Sequence, residues 1–274
     1  MARKRLSARL VIQVGFVLLT GFYVFAPFII NERSWAEGLC PLGGLETLPF
    51  LLRSGVYLEH ISSFNIGIMT ALIIMTLLFG RMFCSYICPL GSLQEWFGRL
   101  GKKLGLQFKL PGPVEQVLNK LKYVVLLIIL AGTYTAAEVV FRKYDPFYAL
   151  FHLSSPALTA SFLLFGLVLV GAIFISRSWC RYLCPLGAFV KVLSFFSLVK
   201  LVRDEAACID CNLCNKACPE HVVPAEQVVL TKDGCTHCLD CVGVCPSGQN
   251  AMKLTLGKGR GQGRATYEKA GEVR

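Results

Sequence analysis

Between Cys208 and Pro246 the chain reads Cys208-x-x-Cys211-x-x-Cys214-x-x-x-Cys218-Pro219 and, after a short connection, Cys235-x-x-Cys238-x-x-Cys241-x-x-x-Cys245-Pro246, which together hold eight of its thirteen cysteines. Spacing this tight lets one loop wrap three corners of a cube. Thiolates are the soft, charged donors that iron in a sulfide cluster takes, so each run reads as a 4Fe-4S site. In paired runs the fourth corner comes from the other copy. That assigns Cys208, Cys211, Cys214 and Cys245 to one cluster, and Cys235, Cys238, Cys241 and Cys218 to the other. A structural zinc site needs only four ligands with a longer gap between pairs, and a disulfide framework has no use for duplicated spacing that ends in proline.

The rest of the chain must say what such clusters exchange electrons with. It has 274 residues, of which 54% are hydrophobic and 16% charged, with a mean hydropathy of +0.57. Soluble domains carry about 25% charged residues, so the class is an integral membrane protein, all-α in its membrane part. A net charge of +11 would fit a nucleic-acid binder. Basic and aromatic residues are not interleaved on one face, however, and the basic excess sorts by loop, so no nucleic-acid partner is expected. Ferredoxin-type cysteines call for a reducing compartment and place their domain in the cytoplasm.

Arg3, Lys4, Arg5 and Arg9 precede an apolar run from Leu10 to Ile30, long enough for an uncleaved first span with its N-terminus inside. Residues 31–63, with Cys40-Pro41-Leu42-Gly43-Gly44, read as an outer loop or re-entrant segment. A second span is expected over residues 64–83. A basic, amphipathic helix at the inner interface follows over residues 92–120, with a Pro111-Gly112-Pro113 break. A third span is expected over residues 121–141 and a fourth over 159–179. Of 28 Lys and Arg residues, only Arg33, Arg53, Arg142 and Lys143 fall outside in this arrangement. The positive-inside rule therefore puts both termini and the ferredoxin domain in the cytoplasm, beneath the inner membrane. The domains read as a membrane domain over 1–200, a small α+β dicluster ferredoxin domain over 201–255, and a Gly- and charge-rich tail over 256–274 expected to be disordered.

The membrane domain repeats. Arg81-Met82-Phe83-Cys84-Ser85-Tyr86-Ile87-Cys88-Pro89-Leu90-Gly91 matches Arg177-Ser178-Trp179-Cys180-Arg181-Tyr182-Leu183-Cys184-Pro185-Leu186-Gly187 at Arg, an aromatic, Cys, Tyr, an aliphatic, Cys, Pro, Leu and Gly. Each copy ends a two-span unit, so the four spans form a duplicated hairpin related by an axis along the membrane normal. Cys40-Pro41 and Asp145-Pro146 correspond more weakly. Cysteines four apart share a helix face, and two such pairs would bring together Cys84, Cys88, Cys180 and Cys184. Four thiolates suffice for a third iron-sulfur cluster; redox-active thiols without metal, or buried structural cysteines, are the other readings.

Four spans, a Cys-Pro-x-Gly-Gly outer loop, two Cys-x-x-x-Cys-Pro motifs and a double ferredoxin motif resemble the NapH-type membrane ferredoxins, related to the membrane part of NosR proteins, over about Leu10 to Lys253. The resemblance implies a quinol dehydrogenase component that passes electrons between the membrane quinone pool and iron-sulfur carriers, with a partner ferredoxin or reductase subunit. It leaves the terminal reductase open.

A quinol site needs an apolar slot, polar groups for two oxygens and a proton acceptor. Near the outer face the sequence offers Glu138, His60, His152, Glu59, Asp145 and Cys40. Glu138 lies in a hydrophobic helix, where an acid is a functional candidate unless it is solvated at the interface beside Arg142 and Lys143. His60 and His152 are proton acceptors, haem or metal ligands, or ordinary interfacial residues, and Cys40 belongs to an outer carrier if one exists. Since the clusters lie inside, the alternative is quinone near the inner motifs, with Tyr86, Tyr182, Arg81 and Arg177 as ligands. Two other functions compete with quinone-linked electron transfer: an accessory assembly factor or metal and thiol reductase using the Cys-x-x-x-Cys-Pro cysteines, and a redox sensor.

Overall fold

The computed structural model describes residues 2–30, 41–46, 63–108, 110–136, 141, 144–151, 160–230, 234–247 and 251–256. The N-terminal part is helical: α1 (Ala2–Ile30), α2 (41–46), α3 (Ser63–Phe79), α4 (Met82–Tyr86), α5 (Pro89–Lys103), α6 (Gly112–Ala136), α7 (Pro146–Phe151), α8 (Ala160–Phe174), α9 (Ser178–Tyr182) and α10 (Pro185–Ser194). Among the described residues one helix, Gly112–Thr135, is long and apolar enough to cross a membrane, while the apolar stretches Ala8–Phe22, Asn65–Phe79 and Ser161–Phe174 are shorter. The Pro111-Gly112-Pro113 break is where α6 starts, well before the expected third span, because proline is tolerated in a first turn whose N–H groups have no helical partner. Large apolar side chains on α1, α6 and α8 point outward, with Val11, Leu18, Leu127, Ile128, Leu163 and Leu167 all more than 60% exposed.

The sequence repeat is also a structural one. Helices α3, α4 and α5 correspond to α8, α9 and α10, and the halves interlock, α5 packing on α8 and α10 on α3. The amphipathic helix α5 is therefore no free interfacial helix; Leu90, Gln94, Glu95 and Gly98 are buried along one face. Short helices α2 and α7 each begin at proline and pack inward. Leu42 and Leu45 of α2 join Met69, Leu72 and Val190 in a core that reaches Phe83 and Cys84. Asp145 accepts the Phe147 N–H at 2.9 Å and so caps α7, whose Phe147 packs with Trp179, Cys88 and Cys184.

The C-terminal domain is built on an antiparallel pair, β1 (Val199–Arg203) and β2 (Met252–Leu256), in the register Val199↔Leu256 to Arg203↔Met252. Between the strands lie the two cysteine loops with α11 (Leu213–Ala217) and α12 (Asp240–Val244), which pack on each other. Leu201, Leu230, Val242 and Met252 form one core with Cys214, Cys235 and Cys241. Leu256, assigned by sequence to the tail, ends β2, and residues 257–274 fall outside the description.

Candidate iron-sulfur sites

The two cysteine loops share one backbone solution. The residue before the second cysteine is left-handed in each, Asp210 at φ 49° and His237 at 51°, as is the residue after it, Asn212 at 56° and Leu239 at 62°. A left-handed backbone costs a leucine about 1–2 kcal/mol, so its presence at Leu239 marks a shape that the loop is built to hold. Both fourth cysteines precede proline and are extended, with φ/ψ of −70°/116° for Cys218 and −72°/123° for Cys245, as a residue before proline must be.

Cys218, Cys235, Cys238 and Cys241 line one small cavity together with Val222, Pro224 and Leu230. In the other loop Cys208 and Cys211 lie near enough to Cys214 to raise it after burial has done so, and Cys245 ends α12. All twelve described cysteines are free thiols. Among the described residues no three His, Cys, Asp or Glu side chains converge as a single metal ion requires. Four cysteines around one cavity are the donor set that a 4Fe-4S cluster takes. Burial pushes Cys218 and Cys235 up to about 12 and raises Cys238 and Cys241 as well. As bare groups these thiols keep their protons, and a cationic iron core is what would favour thiolates there.

The four Cys-x-x-x-Cys-Pro cysteines also meet. Cys88 feels the charges of Cys180 and Cys84, Cys180 those of Cys184 and Cys84, and Cys184 those of Cys84 and Cys88. Cys88 and Cys184 are the N-terminal caps of α5 and α10, with φ/ψ of −65°/116° and −64°/113°. The glycine of each Cys-Pro-Leu-Gly has a steric reason: a Cβ on Gly91 would lie 2.5 Å from the Cys84 carbonyl oxygen, and one on Gly187 3.2 Å from that of Cys180. Gln94 Nε2 donates to Cys180 Sγ at 3.3 Å, and the Gly187 N–H to Cys184 Sγ at 3.3 Å.

A buried ionic network joins these thiols to the Cys235 loop. Arg177 donates to Glu220 at 2.9 Å and to Glu95, and Glu95 also receives Arg9 and Arg99. Arg9 reaches on to Asp240 at 2.9 Å, and Arg81 Nη1 donates to the Gly234 carbonyl at 2.6 Å. His237 Nδ1 and the Phe79 carbonyl oxygen lie 2.9 Å apart. Burial alone would raise Glu95 and Glu220, yet Arg177 first, then Arg9 for Glu95 and Arg81 for Glu220, holds each carboxyl below its ordinary range. Arg177 also donates to Ser85 beside Cys84 at 3.4 Å and to Thr236 beside Cys235 at 3.5 Å, so one guanidinium bridges the two thiol-bearing segments. The Nε atoms of Arg81 and Arg177 are buried without a hydrogen-bond partner, as donors waiting on cluster sulfides would be.

The outer quinone candidates Glu138, His60 and His152, like Glu59 and Cys40, lie outside the described residues. Asp145 is described and buried, close enough to Cys184 to act on it electrostatically. Of the inner candidates, Arg81 and Arg177 bond into the network through their Nη atoms, and Tyr182 is buried against the Arg181 guanidinium at 4.9 Å. Tyr86 lines an open cleft. Sequence reasoning missed Arg9, Glu95 and Glu220, whose only signal was charge at a helix end, on an amphipathic helix and after Cys-Pro. It also missed Glu46, buried beside Asp145 with Oε2 unpartnered.

Cysteine loops of this geometry, set on a duplicated helical unit, define an iron-sulfur protein of the ferredoxin type. A 4Fe-4S binding domain model matches the chain twice, at residues 64–107 and 157–202, which are the two halves of the repeat. A 4Fe-4S dicluster domain model matches residues 200–246. The putative electron transport protein YccM of Escherichia coli (strain K12) is 33% identical over 77% of this chain and 61% of its own length, so the chain spans under two thirds of that relative. The methylamine utilization ferredoxin-type protein MauN of Methylobacillus flagellatus is 30% identical over 93% of this chain and 92% of its own. The ferredoxin-type protein NapH of Haemophilus influenzae is 27% identical over 72% and 71%. No solved structure matches. The chain belongs to the NapH/NosR-like family of ferredoxin-type 4Fe-4S proteins.

Proposed function

We propose that this chain is a membrane electron-transfer subunit that moves electrons between the quinone pool and iron-sulfur clusters on behalf of a partner reductase. In this reading four helices, α1, α3, α6 and α8, cross the inner membrane with both termini and the cysteine loops on the cytoplasmic side. The outward apolar faces of α1, α6 and α8 and the count of basic residues by loop support that topology. Cys208, Cys211, Cys214 and Cys245 hold one cluster, Cys235, Cys238, Cys241 and Cys218 the other, and Cys84, Cys88, Cys180 and Cys184 a third redox centre.

The observation that carries the reading is the position of Arg177, which donates to Ser85 beside Cys84 at 3.4 Å and to Thr236 beside Cys235 at 3.5 Å. Electrons need carriers in near succession, and this guanidinium marks where two thiol sets come together. Bound clusters supply one-electron couples. The protein's own part is to bury the thiols, to present N–H donors from Arg81 and Arg177, and to fix the domains together through Glu95 and Glu220. A quinol becomes a quinone by giving up two electrons, one to each of two carriers, and two protons.

Iron and sulfide counting with EPR on anaerobically purified protein tests this. About eight irons per chain are expected from the two loops, and about twelve if the four membrane thiols hold a cubane as well. A quinol analogue should reduce the clusters; failure to do so in a fully loaded protein would sink the quinone link. The convergence of the four membrane thiols favours one further reading, a metal or thiol reductase. Metal reduction that persists without quinone and stops in Cys84→Ser would establish it.

A further inference from the structure

A cleft of about 1150 Å³ opens between α1, α5 and the cysteine loops. Three of its lining residues, Cys218, Cys238 and Leu239, also line the cavity assigned above to the second cluster. The cleft and the cluster space are therefore separated by a single layer of side chains. The cleft's wall is mainly apolar, with Ile12, Phe108, Leu239 and Val244. Its polar groups are numerous, but Arg9, Glu95, Arg99 and Asp240 are tied into ion pairs with one another, which leaves Tyr86 and the lysines at the mouth. Tyr86 is half-buried, its ring under the Arg9 guanidinium at 5.7 Å, and its hydroxyl makes no hydrogen bond among the described residues. Arg99 and Lys103 stand at the rim, and Lys102 spans it to the Lys216 carbonyl at 2.9 Å.

We propose that this cleft is the seat of the quinone head group on the cytoplasmic side, with the Tyr86 hydroxyl donating to one ring oxygen. The proposal rests on the quinone-linked reading above and adds to it the place. The size lies at the large end of small-molecule sites, which combine an apolar wall with a few placed polar groups. The occupant has to be a redox molecule, because nothing else gains from touching two cluster-side cysteines. It has to give electrons singly, which excludes a nicotinamide dinucleotide, whose hydride carries two at once and needs a flavin in between. An isoprenoid tail suits the apolar wall at Ile12 and the exposed Val11 and Leu18 on the same helix. The basic rim suits the negative charge that develops on the ring oxygens as the quinol gives up its protons with its electrons, and those protons pass to the aqueous side.

The test uses the full-length holoprotein in phosphatidylcholine nanodiscs with an azido-labelled short-tail benzoquinone. Labelled peptides are expected within residues 8–12, 86–108, 215–221 or 238–244, with decylubiquinone competing. The EPR signal of the reduced protein is expected to change on quinone addition. Tyr86→Phe should weaken binding about fivefold, the loss of one hydrogen bond, and Val244→Trp at least about tenfold by filling the cleft. If Val244→Trp loses iron, Tyr86→Phe carries the test. Labelling confined to the segments outside these peptides, with affinity unchanged in the variants, overturns the site while leaving the quinone-linked function intact. Equal protection by phosphatidylglycerol makes the cleft a lipid seat and likewise overturns it. Absence of both specific binding and cluster reduction removes the function and the site together.

Discussion

Asp210 and His237 occupy the same place in the two cysteine loops and share a left-handed backbone, yet the Asp210 side chain is 80% exposed and His237 is wholly enclosed. The contrast extends along both loops. Cys211 is exposed and Ile209 and Leu213 face solvent, whereas Cys235, Thr236 and Cys241 are buried. One backbone repeat thus serves two surroundings. The second loop is clamped by Arg81, Arg177, Arg9 and Phe79 onto the membrane unit, and the first is left open, where a soluble partner could approach. In the proposed path the enclosed loop is the inward port and the open loop the outward one.

The harshest way to break this comparison is to remove one thiol from each loop. Cys235→Ser and Cys211→Ser are each expected to lower the iron content to about four per chain if only the loop clusters are present. Only Cys235→Ser, whose thiol sits in the domain core, should also make the protein protease-sensitive. Arg177→Leu comes next. It strands Glu220 and weakens Glu95 in a buried site, and breaking such a pair costs about 3–5 kcal/mol. Its counterpart in the open loop, Arg203→Leu, loses contacts of 3.4 and 3.5 Å to exposed carboxylates and should cost under about 1 kcal/mol. Equal losses in denaturant unfolding would show that the two loops are anchored alike.

Gly80→Ala is a smaller probe. Gly80 has φ +67°, and a Cβ there would lie 2.6 Å from the His237 ring, so about 1–2 kcal/mol of strain should appear together with a shifted His237 resonance. Acid is the gentlest. Glu95 and Glu220 have folded values depressed below 4.5, so their stabilisation is complete above that pH and is lost as pH falls through the folded values. Thermal scans between about pH 6 and 3 should therefore show the enclosed loop opening before the secondary structure melts. A scan flat across that window would refute the ionic clamp.

Much of this was legible in the residues. Thiol spacing carries its own geometry, so the cysteine loops and the duplicated Cys-x-x-x-Cys-Pro motifs could be read directly, and the weak match of Cys40-Pro41 to Asp145-Pro146 corresponds to two short helices that start at proline and pack inward. Buried charge was not legible. Arg9 looks like part of a basic N-terminal run and Glu95 like one more charge on an amphipathic helix, because helix periodicity reports which face is apolar and says nothing of partners far away in sequence. The same gap hid Glu46, whose burial depends on how α2 folds back. The expected break at Pro111 was a start for a related reason: proline ends one helix and begins another with the same fixed φ.

Arg9 also sets a timetable. Its carboxylate partners Glu95 and Asp240 follow it by 86 and 231 residues. The first helix is made early in synthesis, with a cation that stays incompletely matched until nearly the whole polypeptide has left the ribosome. Closing that last contact brings the enclosed loop against the helices, so the burial of that loop is among the last events in the making of the chain.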